Sequence, residues 1–249
     1  MSARTSKSGS SRLLDAQRGD RGIAQEFLVS PAMLDAVSPS GDRGGMVLGS
    51  GLQGEPLTMS ALRPAPTRIV LVGGLYLARQ VALRAMAVGA WVVIATGRPA
   101  AWQALQKAAG TGPDGRPAPI VQIRRLSPVE LPRPSEDGPL LVVHDGGPTP
   151  QELFPPRSPW QTTVYVLPYM HPQAGATANA ADLVLLQRLP VGQAQLAARI
   201  WRLPPPMVHQ LTTLADEQVV ALGRNLWKPF RLVTTAREQQ ILGPVRRGD

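Results

Sequence analysis

The stretch from Arg68 to Thr96 constrains this chain more than any other. Arg68-Ile-Val-Leu-Val-Gly-Gly74 is a short continuous apolar run ending in two glycines, the pattern of a strand buried on both faces. Leu75 to Val88 then has helical spacing. Leu75, Ala78, Ala82, Ala85 and Met86 share one face, Arg79 and Arg84 are directed elsewhere, and Gly89 supplies the stop. Trp91-Val-Val-Ile-Ala-Thr96 reads as a second buried strand. Strand, helix and strand in this order make a parallel crossover unit, which is right-handed in nearly all folds.

The alternation continues downstream. Pro99 opens a helix over Ala100–Ala109, because proline is pre-shaped for the first helical position. A loop rich in Gly and Pro (110–119) leads to expected strands at Ile120–Arg124, Leu140–His144, Thr163–Leu167 and Leu183–Gln187. The four prolines of Pro128–Pro139 make an exposed connection. Helices are expected at Gln193–Trp201 and Met207–Leu214, on either side of the Pro204–Pro206 break. Met46–Gly49 and Pro56–Met59 flank a glycine-rich turn and read as a hairpin. Glu217–Leu222 and Phe230–Thr234 read as another, followed by a helix from Thr235 as N-cap to Ile241. The predicted fold class is α/β, a Rossmann-like and mostly parallel sheet with antiparallel hairpin additions near the ends. Residues 1–45 form a flexible basic N-terminal arm, including an amphipathic piece at Ile23–Val37, and residues 46–249 form the domain.

Composition narrows the chemistry. Zero Cys among 249 residues excludes a disulfide scaffold, a thiol nucleophile and a Cys-ligated metal. The three His are His144, His171 and His209, so a His-rich metal site is not expected. Lys+Arg of 26 against Asp+Glu of 17 gives +9. All but Lys7, Lys107 and Lys228 of those cations are Arg, scattered along the chain, so the charge reads as a coding bias toward Arg. Clustering on one groove, the mark of a nucleic-acid binder, is missing, and no nucleic-acid partner is expected. Weak contact with an anionic membrane surface is. The longest uncharged apolar stretch, Ala85–Gly97, falls short of the roughly 18–20 residues a spanning helix needs, so the sequence predicts a soluble chain.

The Gly73-Gly74 turn sits where a dinucleotide fingerprint would sit, and the amides at such a helix start receive phosphate. Counted from Gly73, Leu75 occupies the second glycine position of G-x-G-x-x-G, and the ribose-binding acid is missing. Thr96-Gly97-Arg98 ends the second strand instead, and Arg98 would suit a 2′-phosphate. Gly73, Gly74 and Arg98 are therefore the candidate cofactor-binding residues of an alternative reading, an NADP-type oxidoreductase or sensor. Tight strand–helix packing alone would also explain the glycines. No Gly-Lys-Ser/Thr and no G-x-S-x-G occurs, which removes a P-loop and an α/β-hydrolase elbow. Asp182 precedes its apolar run, whereas a Walker B acid follows one. His144-Asp145 and His171 lie at strand ends, where an acid–base or metal site and ordinary turns are all in keeping with the sequence. Trp102, Trp201 and Trp227 are candidate contact anchors at a protein interface.

Gly54-Glu-Pro-Leu-Thr58, Arg63-Pro64, Arg68 to Arg79 and Val88 to Thr96 with Trp102, then Thr234 to Glu238 and Leu242 to Arg247, together resemble the soluble domain of the actinobacterial type VII (ESX) secretion protein EccE. The resemblance spans about residues 46–247. It implies a non-catalytic component of the export machine without cofactor or metal, in contact with other secretion-system subunits. The place implied is cytoplasmic, peripheral at the inner face of the membrane. Transmembrane helices near the N-terminus, which EccE proteins carry, are replaced here by the hydrophilic arm.

Overall fold

The structure, a computed structural model, describes residues 45–112, 114–126, 131–148 and 156–245. Residues 1–44, which hold nearly all of the expected N-terminal arm, lie outside the described residues, as do 127–130 of the proline-rich connection.

Ten strands form one sheet, β1 (Met46–Ser50), β2 (Pro56–Met59), β3 (Thr67–Val72), β4 (Trp91–Thr96), β5 (Val121–Arg124), β6 (Leu140–Asp145), β7 (Gln161–Leu167), β8 (Leu183–Leu186), β9 (Gln218–Gly223) and β10 (Leu226–Leu232). The helices are α1 (Leu75–Ala87), α2 (Gln103–Ala109), α3 (Gly175–Asn179), α4 (Val191–Trp201), α5 (Pro205–Thr213) and α6 (Ala236–Leu242). Short 3₁₀ turns, Pro99–Trp102 and Pro172–Ala174, lead into α2 and α3. The sheet order is β2-β1-β10-β9-β8-β3-β7-β6-β4-β5. The six strands from β8 to β5 pair in parallel, and the four from β9 to β2 add antiparallel at one edge. The α/β class and the mostly parallel sheet are as expected; the two hairpins, far apart in sequence, share a single edge.

Burial explains the order. β3 and β7 carry almost nothing but buried residues, and they lie at the centre. β2 alternates exposed and buried, as an edge strand facing water on one side must. Pro229 lies inside β10 opposite Val220 of β9, but β1 pairs with β10 only at Arg231 and Leu232. Pro229 thus faces no ladder on its other side, which is why the strand runs through a residue that reads as a breaker. At Gly49 a Cβ would stand 2.1 Å from the Arg231 carbonyl oxygen, so β1 approaches β10 only because that residue is glycine.

Two apolar layers cover the sheet. One face packs Ile69, Leu71, Ile94 and Val143 against α1, Trp102 and Leu105. The other packs Val70, Val72, Tyr165 and Leu186 against Ala174 of the 3₁₀ turn before α3 and against Ala194, Ala197 and Leu211 of α4 and α5. The helix α1 is buried almost all round, and Arg84, expected to point away, is turned to use. Its guanidinium donates to Glu238 at 2.5 and 2.9 Å and to the Val47 carbonyl, tying α1 to α6 and β1. Thr235 and Glu238 close a capping box at the start of α6, as the Thr235 N-cap predicts. Among the described residues, no helix is long and apolar enough to cross a membrane.

Candidate functional site

At the C-terminal edge of the parallel strands the chain leaves β3 through α1 on one face and leaves β7 through α3 on the other. Such a switch is where doubly wound proteins hold their ligands. The Gly73-Gly74 turn lies there. Gly73 has φ 144°, a backbone open to glycine alone, and a Cβ on it would sit 2.1 Å from Gln187 Oε1. The Gly74 N–H, at the N-cap of the 13-residue α1, donates to Gln187 Oε1 at 2.7 Å. The first turn of α1 carries no acidic side chain, and that carboxamide oxygen faces its positive end. Gln187 is 2% exposed, and its Nε2 has no hydrogen-bond partner among the described residues.

A second polar cluster gathers around Asp145, 4% exposed at the end of β6. Its Oδ2 accepts from Thr96 Oγ1 at 2.8 Å, Trp102 Nε1 at 2.9 Å and Arg98 Nε at 3.0 Å, while Oδ1 accepts from Arg98 Nη2 at 2.9 Å. Burial pushes the Asp145 carboxyl up, but the hydrogen bonds from Arg98, Trp102 and Thr96 and the Arg98 charge outweigh it and hold the group below its ordinary value. Trp102, expected as a contact anchor, is fully buried and serves inside the fold.

These clusters are separate. β7 and β6 stand between β3 and β4, so Arg98 lies three strand spacings of about 4.8 Å, roughly 14 Å, from the Gly73-Gly74 turn. In a dinucleotide fold the second strand neighbours the first, so that one cofactor touches both. This order lacks that adjacency, which removes the basis of the NADP-type oxidoreductase. His144 and Asp145, adjacent in sequence, point to opposite faces of β6; His144 stacks on Tyr165 with ring centroids 5.3 Å apart. Burial holds the His144 imidazole below its ordinary value and raises the Tyr165 hydroxyl to about 12. His171 caps the turn before α3, its Nδ1 accepting from the Gln173 N–H.

A divalent cation, the usual companion of nucleoside phosphates, does not fit these residues as placed. Both Asp145 oxygens are already engaged, and among the described residues no three His, Asp or Glu side chains converge on a metal position. A cleft of about 660 Å³ opens at the opposite edge of the sheet, between Leu62, Val88, Pro139 and Trp160. It is far from the switch and gathers no catalytic set. Gly73, Gly74, Arg98 and Asp145 are candidates in the sequence itself, whereas Gln187, expected as the last residue of a strand, lies just beyond β8. A lone Gln directly after the apolar run Leu183–Leu186, at the edge where ligands bind, was the available signal.

No protein-family model and no curated protein matches the sequence. Solved structures do. VirB4 of Thermoanaerobacter pseudethanolicus superimposes with a TM-score of 0.54 at 9% identity, over 80% of this chain and 99% of that one. The genome packaging NTPase B204 of Sulfolobus turreted icosahedral virus 2 gives 0.46 at 10% identity, over 68% of this chain and 98% of its own. The cytoplasmic domain of the type VII secretion ATPase EccC from Thermomonospora curvata gives 0.43 at 11%, over 84% of this chain and 30% of that chain. The fold shared with VirB4 corrects the EccE-like assignment, and it supports neither the expected non-catalytic role nor the oxidoreductase. What the comparisons establish for this chain is that fold.

Proposed function

We propose that this chain binds a nucleoside phosphate at the Gly73-Gly74 turn and works on the cytosolic side of a secretion or related macromolecular transport machine, beside other subunits of it. The observation that carries the reading is the Gly74 N–H. It opens a 13-residue helix at the switch point and already holds an oxygen at 2.7 Å, the service a phosphate oxygen would ask of it. Two further facts support it. The helix start has no acid to repel an anion, and the fold is shared with VirB4. A Gly-Lys-Ser/Thr sequence is absent, so the contact rests on backbone donors and the helix dipole rather than on a lysine.

Calorimetric titration with ATP tests this on the full chain and on Gly74→Pro. Gly74 has φ −73°, a value proline adopts, so the substitution deletes the N–H at an allowed φ, and the ring Cδ that replaces the hydrogen also displaces Gln187 Oε1, 2.7 Å from that nitrogen. Saturable binding that Gly74→Pro abolishes is the expected result. Binding untouched by Gly74→Pro would place the phosphates elsewhere and overturn the reading. Phosphate release is measured on the same samples, and turnover that vanishes with the N–H extends the reading from binding to hydrolysis.

A further inference from the structure

We infer that Gln187 is a built-in stopper of the phosphate position, and that ligand enters by displacing its carboxamide; the inference rests on the nucleoside-phosphate reading above. Three observations meet at this one side chain. Its Oε1 occupies the place of an anionic oxygen, 2.7 Å from the Gly74 nitrogen. Its Oε1, Cβ and Cδ fill the space beside Gly73, at 2.1, 2.9 and 2.9 Å from where a Cβ of that residue would be, so the glycine makes room for the stopper. Its Nε2 is buried with no acceptor among the described residues, in a residue only 2% exposed.

The third observation separates a stopper from an ordinary cap. A carboxamide placed for stability has both ends bonded, because a buried N–H without an acceptor is a standing penalty. Gln187 is held at one end only. Its backbone does not need to move to release it, since the Gln187 N–H donates to the Val72 carbonyl at 3.1 Å and stays in the sheet. Rotation of the side chain to water would satisfy Nε2 and leave the Gly74 N–H to an incoming oxygen. A phosphate oxygen is charged and makes the stronger bond to that N–H. The exchange therefore favours ligand, while the closed form lowers the apparent affinity by the fraction of molecules that are open.

Calorimetry with inorganic pyrophosphate and with ATP tests the stopper on wild type, Gln187→Ala and Gln187→Glu. With about one molecule in ten open at rest, Gln187→Ala binds about tenfold tighter than wild type. Gln187→Glu, whose carboxylate can still accept from Gly74 and repels phosphate, binds no tighter than wild type. Equal affinity in wild type and Gln187→Ala, with loss in Gly74→Pro, would overturn the stopper and leave the phosphate site standing. Absence of binding in both wild type and Gln187→Ala would overturn both. A measurement on the unaltered chain guards against misfolded variants. The Gln187 side-chain amide signal should gain rapid exchange with water as pyrophosphate saturates the protein, and a signal that stays protected would refute displacement.

Discussion

The end of β3 and the ends of β4 and β6 share one sheet edge but are finished in opposite ways. At Asp145 both carboxylate oxygens are engaged, by a hydroxyl, an indole N–H and a guanidinium, and the group is closed to newcomers. At Gly74 one amide holds one carboxamide oxygen, and the other end of that carboxamide meets no acceptor among the described residues. Saturated polar clusters fix a fold, because breaking one strands several partners together. A half-satisfied contact is inexpensive to give up. The first region is thus a clasp between strands, and the second is where an exchange with ligand costs least.

The sharpest break between the two regions is expected from Asp145→Ala. Removing the carboxylate leaves Trp102 Nε1 and Thr96 Oγ1 buried without an acceptor, and should lower unfolding free energy by about 3 kcal/mol in urea titrations. The partner Arg98 side chain is 39% exposed and finds water, so the loss falls at the lower end for a buried pair. Loss below about 0.5 kcal/mol would show that Asp145 does not clasp the strands. Gly73→Ala comes next, at about 2 kcal/mol, from its positive φ and the collision with Gln187. Part of that loss should return in the double variant with Gln187→Ala, a coupling of about 1 kcal/mol; strict additivity would show that the two side chains do not compete for space.

Gln187→Ala alone should change stability by less than about 1 kcal/mol, since the lost bond to Gly74 is offset by removal of the unpaired N–H. A cost as large as that of Asp145→Ala would erase the contrast. The smallest effect concerns pH. The Asp145 and Glu238 carboxyls are held low in the folded state, despite burial, by bonds from Arg98, Trp102 and Thr96 and from Arg84 and Thr235. Their contribution is present above the unfolded carboxyl values of about 4 and is lost as pH falls through the folded ones, so thermal stability drops below about pH 4. His144 acts earlier. Burial lowers its folded value, so the unfolded chain takes up the proton first, and stability declines as pH falls below about 6.5. A His144→Phe variant should lose that first, shallow slope and keep the second in melting curves taken across pH; retention of both would remove His144 as its source.

Much of this architecture was legible because it is local. Continuous apolar runs mark β3 and β4, and Thr235 as N-cap marks the start of α6. β10 was read short, since Pro229 breaks a strand unless one of its sides lacks a ladder, and that depends on how far β1 reaches. The helix α3, five residues of small and polar type, has too little periodicity to be read and forms where the chain after β7 packs on the second face. The order of strands was invisible for the same reason. Only that order separates Arg98 from Gly74, and it turned a presumed dinucleotide pair into two regions with different tasks. Gln187 lies 113 positions from the amide it serves, so no spacing rule could join them.

The central claim is that phosphate meets the chain at the Gly74 amide. Its most direct test is the backbone amide spectrum of Gln187→Ala as pyrophosphate is added. The account predicts that the Gly74 signal, with those of the first turn of α1, shifts most and saturates. Unmoved Gly74 beside shifts centred on Arg98 or Arg124 would contradict it.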